Sequence, residues 1–429
     1  MVARQPGMDR EGGALRGWDV DVVVVGGGAA GVAAALELRA RGVGVRILEA
    51  SGRLGGRIRT DRDSLGAPFD LGASWIHGAD RGNPWSDIAL ALGARWALDP
   101  RRRRVGASAA DGEELGAAIE TALRDMVRRL DPAGAESLGA LLPQSGRWAV
   151  VVRQLFGPWI SGAEPEAIDA FDWLAGISGE DWIPLEGYGA LLQKIARDLP
   201  VTYRCPVRRL SATGKGVKVE AACGTLEAGF VVLTVSTELL RRGCPEILPR
   251  PERRFADALD ALPLGCAEKI GVALTGEAGI PETGVFLYPP PGGGEVLYVL
   301  RPGGLPVAWG FVGGERARML AALGERELAA YVREDLARLL GRRAAACVGR
   351  VVMSRWHQDR WVLGAYSYAR PGCAAMREVL GEPLFGRVYV AGEANAPWGW
   401  QGTAGGAYLA GRRAAQAIHH RLTGWRGGL

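Results

Sequence analysis

Asp19–Thr60 reads DVDVVVVGGGAAGVAAALELRARGVGVRILEASGRLGGRIRT, and the order of residue types in it decides the fold. Val20 and Val22–Val25 form a β-branched apolar run, long enough for one buried strand. Gly26, Gly28 and Gly31 follow in the G-x-G-x-x-G spacing. The first glycine permits a tight turn and the second lets a pyrophosphate approach the backbone. The third lets the next helix sit close to the strand. Ala30 to Arg41 is rich in good helix formers, and its N-terminus would aim free N–H groups at phosphates. A second strand, Gly44 to Leu48, ends on Glu49, an acid placed to hydrogen-bond a ribose hydroxyl.

Arg53, Gly55, Gly56 and Arg57 then make R-x-G-G-R. The glycines permit close backbone approach, and the arginines are forked donors for phosphate oxygens. Strand, glycine turn, helix, strand, acid and this extension together resemble the FAD-binding signature of the flavin amine oxidase superfamily, closest to its polyamine oxidase branch. The resemblance runs from about Asp19 to about Ile418. It implies an α/β fold in which a Rossmann-like FAD domain of the glutathione-reductase type is interleaved with an α+β substrate domain carrying a mixed sheet. The expected segments are FAD-binding at 18–76, 200–245 and 385–425, helical substrate domain at 77–199, and sheet substrate domain at 246–384.

The chain has 429 residues, 48% of them hydrophobic, enough for two or three domains with sizeable cores. A formal charge of +5 is small for this length, and nucleic acid is not an expected partner. The tetrad Arg101–Arg104 reads as a solvated loop. No apolar run is long enough for a membrane span. MVARQPGMDREGGALRGW lacks a signal-peptide core and reads as a disordered leader. Six cysteines without C-x-x-C pairing, and only four histidines, argue against a metal site. Free thiols in a reducing cytoplasm are the simplest account.

Further motifs extend the resemblance. FDLGASWIHG, Phe69–Gly78, carries Gly72, Ser74 and Trp75 beside the expected flavin. Ser74 and Trp75 stand where L-amino-acid oxidases supply an arginine for the substrate carboxylate nearby. His77 is either a structural hydrogen-bonding residue or a pocket wall. Asp99 to Gly176 reads as mostly helical. In LEGYGALLQKIARDLP, Glu186 replaces the first glycine of the family's helix entry. Val207 matches a position whose backbone contacts adenine.

Lysine is scarce: Lys194, Lys215, Lys218 and Lys269 stand among many arginines. Lys269 lies in an alternating run, AEKIGVAL. It is either a surface lysine on an edge strand or the family's lysine, which holds a water against flavin N5 and stabilises charge on reduced oxygen. Three strands near 286–312 are expected to floor the substrate pocket. Trp356 and Trp361 precede Ala365 and Tyr366. Trp356 is core or flavin-side, and Tyr366 matches the aromatic residue beside the flavin face. Alanine at 365 implies non-covalent FAD, because some relatives use a cysteine there for a flavin bond. In RVYVAGEANAPWGWQGTAGGAYLAGRRAAQAI, Gly392 and Glu393 match FAD contacts, and Gly402 and Thr403 open a helix facing the flavin. Thr403 replaces the second tyrosine of the monoamine oxidase cage, which leaves Trp398 or Trp400 as candidate walls.

The implied function is FAD-dependent oxidation of an amine C–N bond to an imine, with oxygen reduced to hydrogen peroxide. The partners are a small-molecule amine and oxygen. The alternatives are an L-amino-acid oxidase, a flavin desaturase or dehydrogenase acting on a C–C bond, and a non-catalytic FAD-stabilised module. Fourteen tryptophans favour a bulky aromatic amine over a thin polyamine.

Overall fold

The computed structural model describes residues 18–132 and 134–424. The leader read at residues 1–17 lies outside the described residues. Two sheets carry the architecture. The first has eight strands, and Val20–Val25 lies between Val45–Leu48 and Gly224–Leu233, parallel to both. Val24 is in register with Ile47 and with Val232. Val388–Val390 also pairs with Gly224–Leu233 in parallel. The sheet continues through an antiparallel ribbon, Val217–Ala221 and Val207–Ala212, to Glu246–Leu248.

Val22, Val23 and Val24 are fully buried, as expected of a strand covered on both faces. The helices Ala29–Ala40 and Ala404–Gly424 cover one face. They touch closely at Gly411, where a Cβ would lie 2.0 Å from the Ala30 carbonyl oxygen. Arg253–Ala261 covers the other face through Phe255 and Ala258.

The second sheet runs Val348–Met353, Ala267–Leu274, Val307–Gly313, Leu297–Leu300, Val285–Tyr288, Arg102–Val105. Its first five strands are antiparallel. Lys269 therefore lies on an interior strand, and the edge-strand reading does not apply. The long helix Ala109–Arg129 packs against one end through Leu115, Ile119 and Met126.

Three expectations need correction. The arginine tetrad is not a loop: Arg102–Val105 is an edge strand parallel to Val285–Tyr288. Pairing uses backbone groups, so charged side chains conceal it, and buried Val105 anchors the end. Within the stretch read as mostly helical, this strand is the departure. A small sheet of Ile76–His77, Asp181–Pro184 and Trp96–Leu98 was also not legible, because strands this short carry no periodicity. Finally, Cys205 and Cys223 form a disulfide with Cα atoms 5.3 Å apart, while Cys244, Cys266, Cys347 and Cys373 are free. The strand pairing brings the two cysteines together. Chain spacing alone did not show it, and the argument for a reducing compartment loses that support.

Candidate active site

The turn after Val25 carries Gly26 at φ 101°, a left-handed conformation that favours glycine. A Cβ on Gly31 would lie 2.0 Å from the Gly26 carbonyl oxygen. That contact explains why the helix needs glycine there. The helix Ala29–Ala40 starts after Gly28 with no side chain capping it, so its first N–H groups and dipole are available to an anion. A Cβ on Gly28 would enter open space, with Gly55 O nearest at 3.9 Å, and one on Gly392 would meet nothing within 4 Å. Ala30 is buried against Gly411 behind this opening. An uncapped helix start beside unfilled glycine positions fits a dinucleotide.

The charged residues of the signature hold the cradle together. Glu49 is buried and accepts from Gly27 N and Ser51 N, both at 2.7 Å. Arg53 donates to Leu54 O and to Gly56 O. Burial, then neighbouring Arg59, lowers the Arg53 pKa. Arg57 donates to Ala365 O and pairs with Glu393 at 2.8 Å. Glu393 also accepts from Ser367 N and, at 2.7 Å, from Ser367 Oγ. Burial works to raise its pKa, but Arg57, Ser367 and Arg377 hold it below the usual carboxylate range. Arg377 in turn forms a fully buried two-pronged pair with Asp172, at 2.6 and 2.7 Å. Arg377 and Asp172 were not picked out in the sequence. This network fixes the backbone on both sides of Tyr366, a half-buried tyrosine whose pKa is raised by burial and then by Glu393.

On the second sheet, the Lys269 ammonium is buried within an aromatic box. Its Nζ lies 5.3 Å from the Trp75 ring, 5.0 Å from Trp309 and 5.1 Å from Phe311. It donates to Asp70 O at 3.2 Å and to Ser74 Oγ. Burial drives its pKa down to about 7, with the Asp70 charge opposing. Trp75 is fixed by Asp99, whose Oδ2 accepts from the indole Nε1 at 2.7 Å. Phe286 and Phe311 stack on the Trp75 ring at 6.4 and 5.3 Å. The Trp309 indole N–H is buried and unpartnered. Asp70, Trp309 and Phe311 were missed: Asp70 sits in a quoted motif, but the two rings carry no local signal.

Trp356 is buried, and its Nε1 donates to Leu71 O at 2.8 Å. A Cβ on Gly72 would lie 1.8 Å from Arg57 O and 3.1 Å from the Trp356 ring, so Gly72 lets three segments meet. Glu268, on the strand position before Lys269, accepts from Ser354 Oγ, Trp356 N and His357 Nδ1. Cys266 lies near this group, and both Glu268 oxygens are taken by hydrogen bonds.

His77 bonds Asp181 at 2.9 Å, and its carbonyl accepts from Asn83. Burial works to raise the Asp181 pKa, but His77 and Arg101 hold it low. Trp361 is half-buried under the Arg360 guanidinium, 4.7 Å away. Val207 starts the Val207–Ala212 strand. Thr403 donates to Trp400 O and accepts from Gly406 N, a local cap for the helix that follows Gly402. Trp398 does not join the box. It is 52% exposed and its ring packs 4.9 Å from Phe171 at an outer cleft. Gly399 at φ 87° turns the chain between Trp398 and Trp400.

Fold and site together define a dinucleotide-binding flavoprotein whose second sheet presents a buried lysine. Residues 29–95 and 152–419 match the model of the flavin containing amine oxidoreductases. The chain belongs to this family, and FAD is its cofactor. Lysine-specific histone demethylase 2 of Homo sapiens is 26% identical over 92% of the chain, and the match spans 53% of that protein, about half its length. Probable polyamine oxidase 4 of Arabidopsis thaliana is 26% identical, over 94% of this chain and 88% of that one. A redesigned putrescine oxidase triple mutant superposes with a TM-score of 0.80 at 21% identity, over 94% of this chain and 99% of that one.

Proposed function

We propose that the chain is an FAD-dependent amine oxidase. An amine, oxygen and water would give a carbonyl compound, a smaller amine or ammonia, and hydrogen peroxide. The carrying observation is Lys269, a buried cation enclosed by Trp75, Trp309 and Phe311. Bound FAD supplies the two-electron acceptor and the route to oxygen. The protein's part is to shape the pocket and place charge. Rings around the site exclude water and favour the neutral amine, whose lone pair the reaction needs. An ammonium at Lys269 stabilises negative charge as oxygen is reduced. Gly26, Gly28, Gly31, Glu49, Arg53, Gly56, Arg57, Gly392 and Glu393 form the cofactor's cradle in this reading. The division at 76, 199, 245 and 384 is part of the proposal, as is a cytoplasmic setting.

The substrate we favour is a bulky, largely apolar amine. A polyamine needs free acids for its distal charges. Near Trp75, Asp99 is occupied by the indole and by Arg101 N, and Asp181 by His77 and Arg101.

The test is peroxide release by FAD-loaded protein across aromatic amines, polyamines and L-amino acids, with Lys269→Met alongside. Peroxide from an aromatic amine, slowed about a hundredfold in the variant, is expected. Bleaching of the flavin without peroxide would show an enzyme using another electron acceptor. No bleaching by any amine would overturn the proposal.

A further inference from the structure

Asp70 sits behind Lys269 and is as deeply buried, 2% exposed against 8%. Its carbonyl oxygen accepts from Lys269 Nζ at 3.2 Å. Its carboxylate accepts from Thr60 Oγ1 and from Tyr188 N, at 3.1 and 3.0 Å to its two oxygens. Tyr188 is the first residue of the helix Tyr188–Ala196, which starts at Gly187 with no side-chain cap. A carboxylate at that N-terminus meets the positive end of the helix dipole and takes an orphan N–H. Two donors and a dipole favour the Asp70 anion against its burial, although nothing about catalysis requires an acid there.

The surroundings of Lys269 hold little else that is charged. Trp75, Trp309 and Phe311 wall it, and Ser74 is neutral. Glu268 is engaged with Ser354, Trp356 and His357. Arg57 and Glu393 pair with each other. Tyr188, also buried, faces Asp70 and has its own pKa raised by burial and then by the Asp70 charge. Lys269 Nζ touches the Asp70 carbonyl rather than its carboxylate, so the two buried charges act on each other through space across the length of that one residue.

We propose that Asp70 is a positioning residue, the buried counter-charge that keeps Lys269 an ammonium inside its aromatic box. An ammonium among rings loses its hydration and regains only part of it from ring faces. A fixed anion recovers the rest without entering the pocket, where it would repel reduced oxygen. The pKa values agree in direction: burial lifts Asp70 to about 6 while Thr60, Tyr188 N and Lys269 oppose, and Asp70 opposes the fall of Lys269. The functional consequence rests on the oxidase reading, whereas the charge coupling does not.

Lysine scarcity makes the coupling measurable. With lysine labelled at 13Cε, the full FAD-loaded chain gives four side-chain signals, for Lys194, Lys215, Lys218 and Lys269. The Lys269 signal is the one lost in Lys269→Met. In Asp70→Asn its titration midpoint should fall by about one unit or more. Asp70→Glu should restore it, and the other three signals should not move. An unmoved Lys269 midpoint in Asp70→Asn overturns the proposal. If Asp70→Asn does not fold, Thr60→Val keeps the carboxylate but removes a donor. The midpoint should then fall by less, and no fall overturns the proposal.

A second arm separates the two readings. Flavin reoxidation by oxygen in Asp70→Asn should lose rate at lower pH than wild type, while anaerobic bleaching by amine keeps its limiting rate. A shifted NMR midpoint with no flavin bleaching even in wild type would sustain the Asp70 role and overturn the oxidase.

Discussion

At the head of the Val20–Val25 strand, polar backbone is left uncovered; around Lys269, a charge is covered on several sides by rings. Most of the cradle, Gly26 to Arg57, comes from one stretch of about 30 residues, with Gly392 and Glu393 added from the far end of the chain, and glycine lets the backbone itself be the binding surface. The box draws on Asp70, Ser74, Trp75, Lys269, Trp309 and Phe311; Asp70 contributes its carbonyl oxygen and the others a side chain each. A local motif can specify a backbone surface. A side-chain enclosure needs the register of a whole sheet, since Lys269 meets Phe311 across a strand pair. The two regions are tied at Arg57, which the chain Asp172–Arg377–Ser367–Glu393 holds and whose carbonyl oxygen accepts from Ala73 N, beside Ser74, at 3.2 Å.

Breaking that tie should have the largest effect. Asp172→Ala leaves the Arg377 guanidinium, 4% exposed, without its counter-charge. We expect a loss of about 3–5 kcal/mol in urea unfolding, with both regions failing together. A loss under about 1 kcal/mol would mean that cradle and box are held independently.

Gly31→Ala attacks the cradle alone. The added Cβ would lie 2.0 Å from Gly26 O, and backbone cannot yield as a side chain can. The expectation is about 1–3 kcal/mol of destabilisation and weakened FAD retention, followed by flavin fluorescence after gel filtration. The Lys269 13Cε signal should be unchanged.

The effect that is smallest per step, up to about 1.4 kcal/mol for each pH unit, sharpens the box. The folded-state pKa of Lys269, about 7, lies below its ordinary 10.5. Between these values the unfolded chain binds a proton there that the folded chain does not. Stability from this group therefore rises with pH across that window, by up to about 1.4 kcal/mol per unit. Unfolding of wild type should gain on Lys269→Met as pH rises from about 7 towards about 10. Parallel pH dependences would show that Lys269 is better solvated than its box implies.

Much of the fold is legible in the amino-acid sequence. The Ala267–Leu274 strand and the helix Ala29–Ala40 fall where residue pattern places them. Lys269 stands out because lysine is rare here. What escapes is non-local. Arg102–Val105 pairs through backbone that its arginines disguise, and Trp398 faces Phe171 because a glycine turns the chain. Cys205 and Cys223 meet only once the sheet has formed.

By itself, the sequence determined the strand–glycine–helix unit and the flavin family and singled out one lysine, because those depend on residue types at short fixed spacings and on composition. The tertiary structure alone decided what surrounds that lysine. Burial, counter-charge and aromatic enclosure are set by which distant side chains the two sheets bring within a few ångströms, and no spacing along the chain encodes those distances.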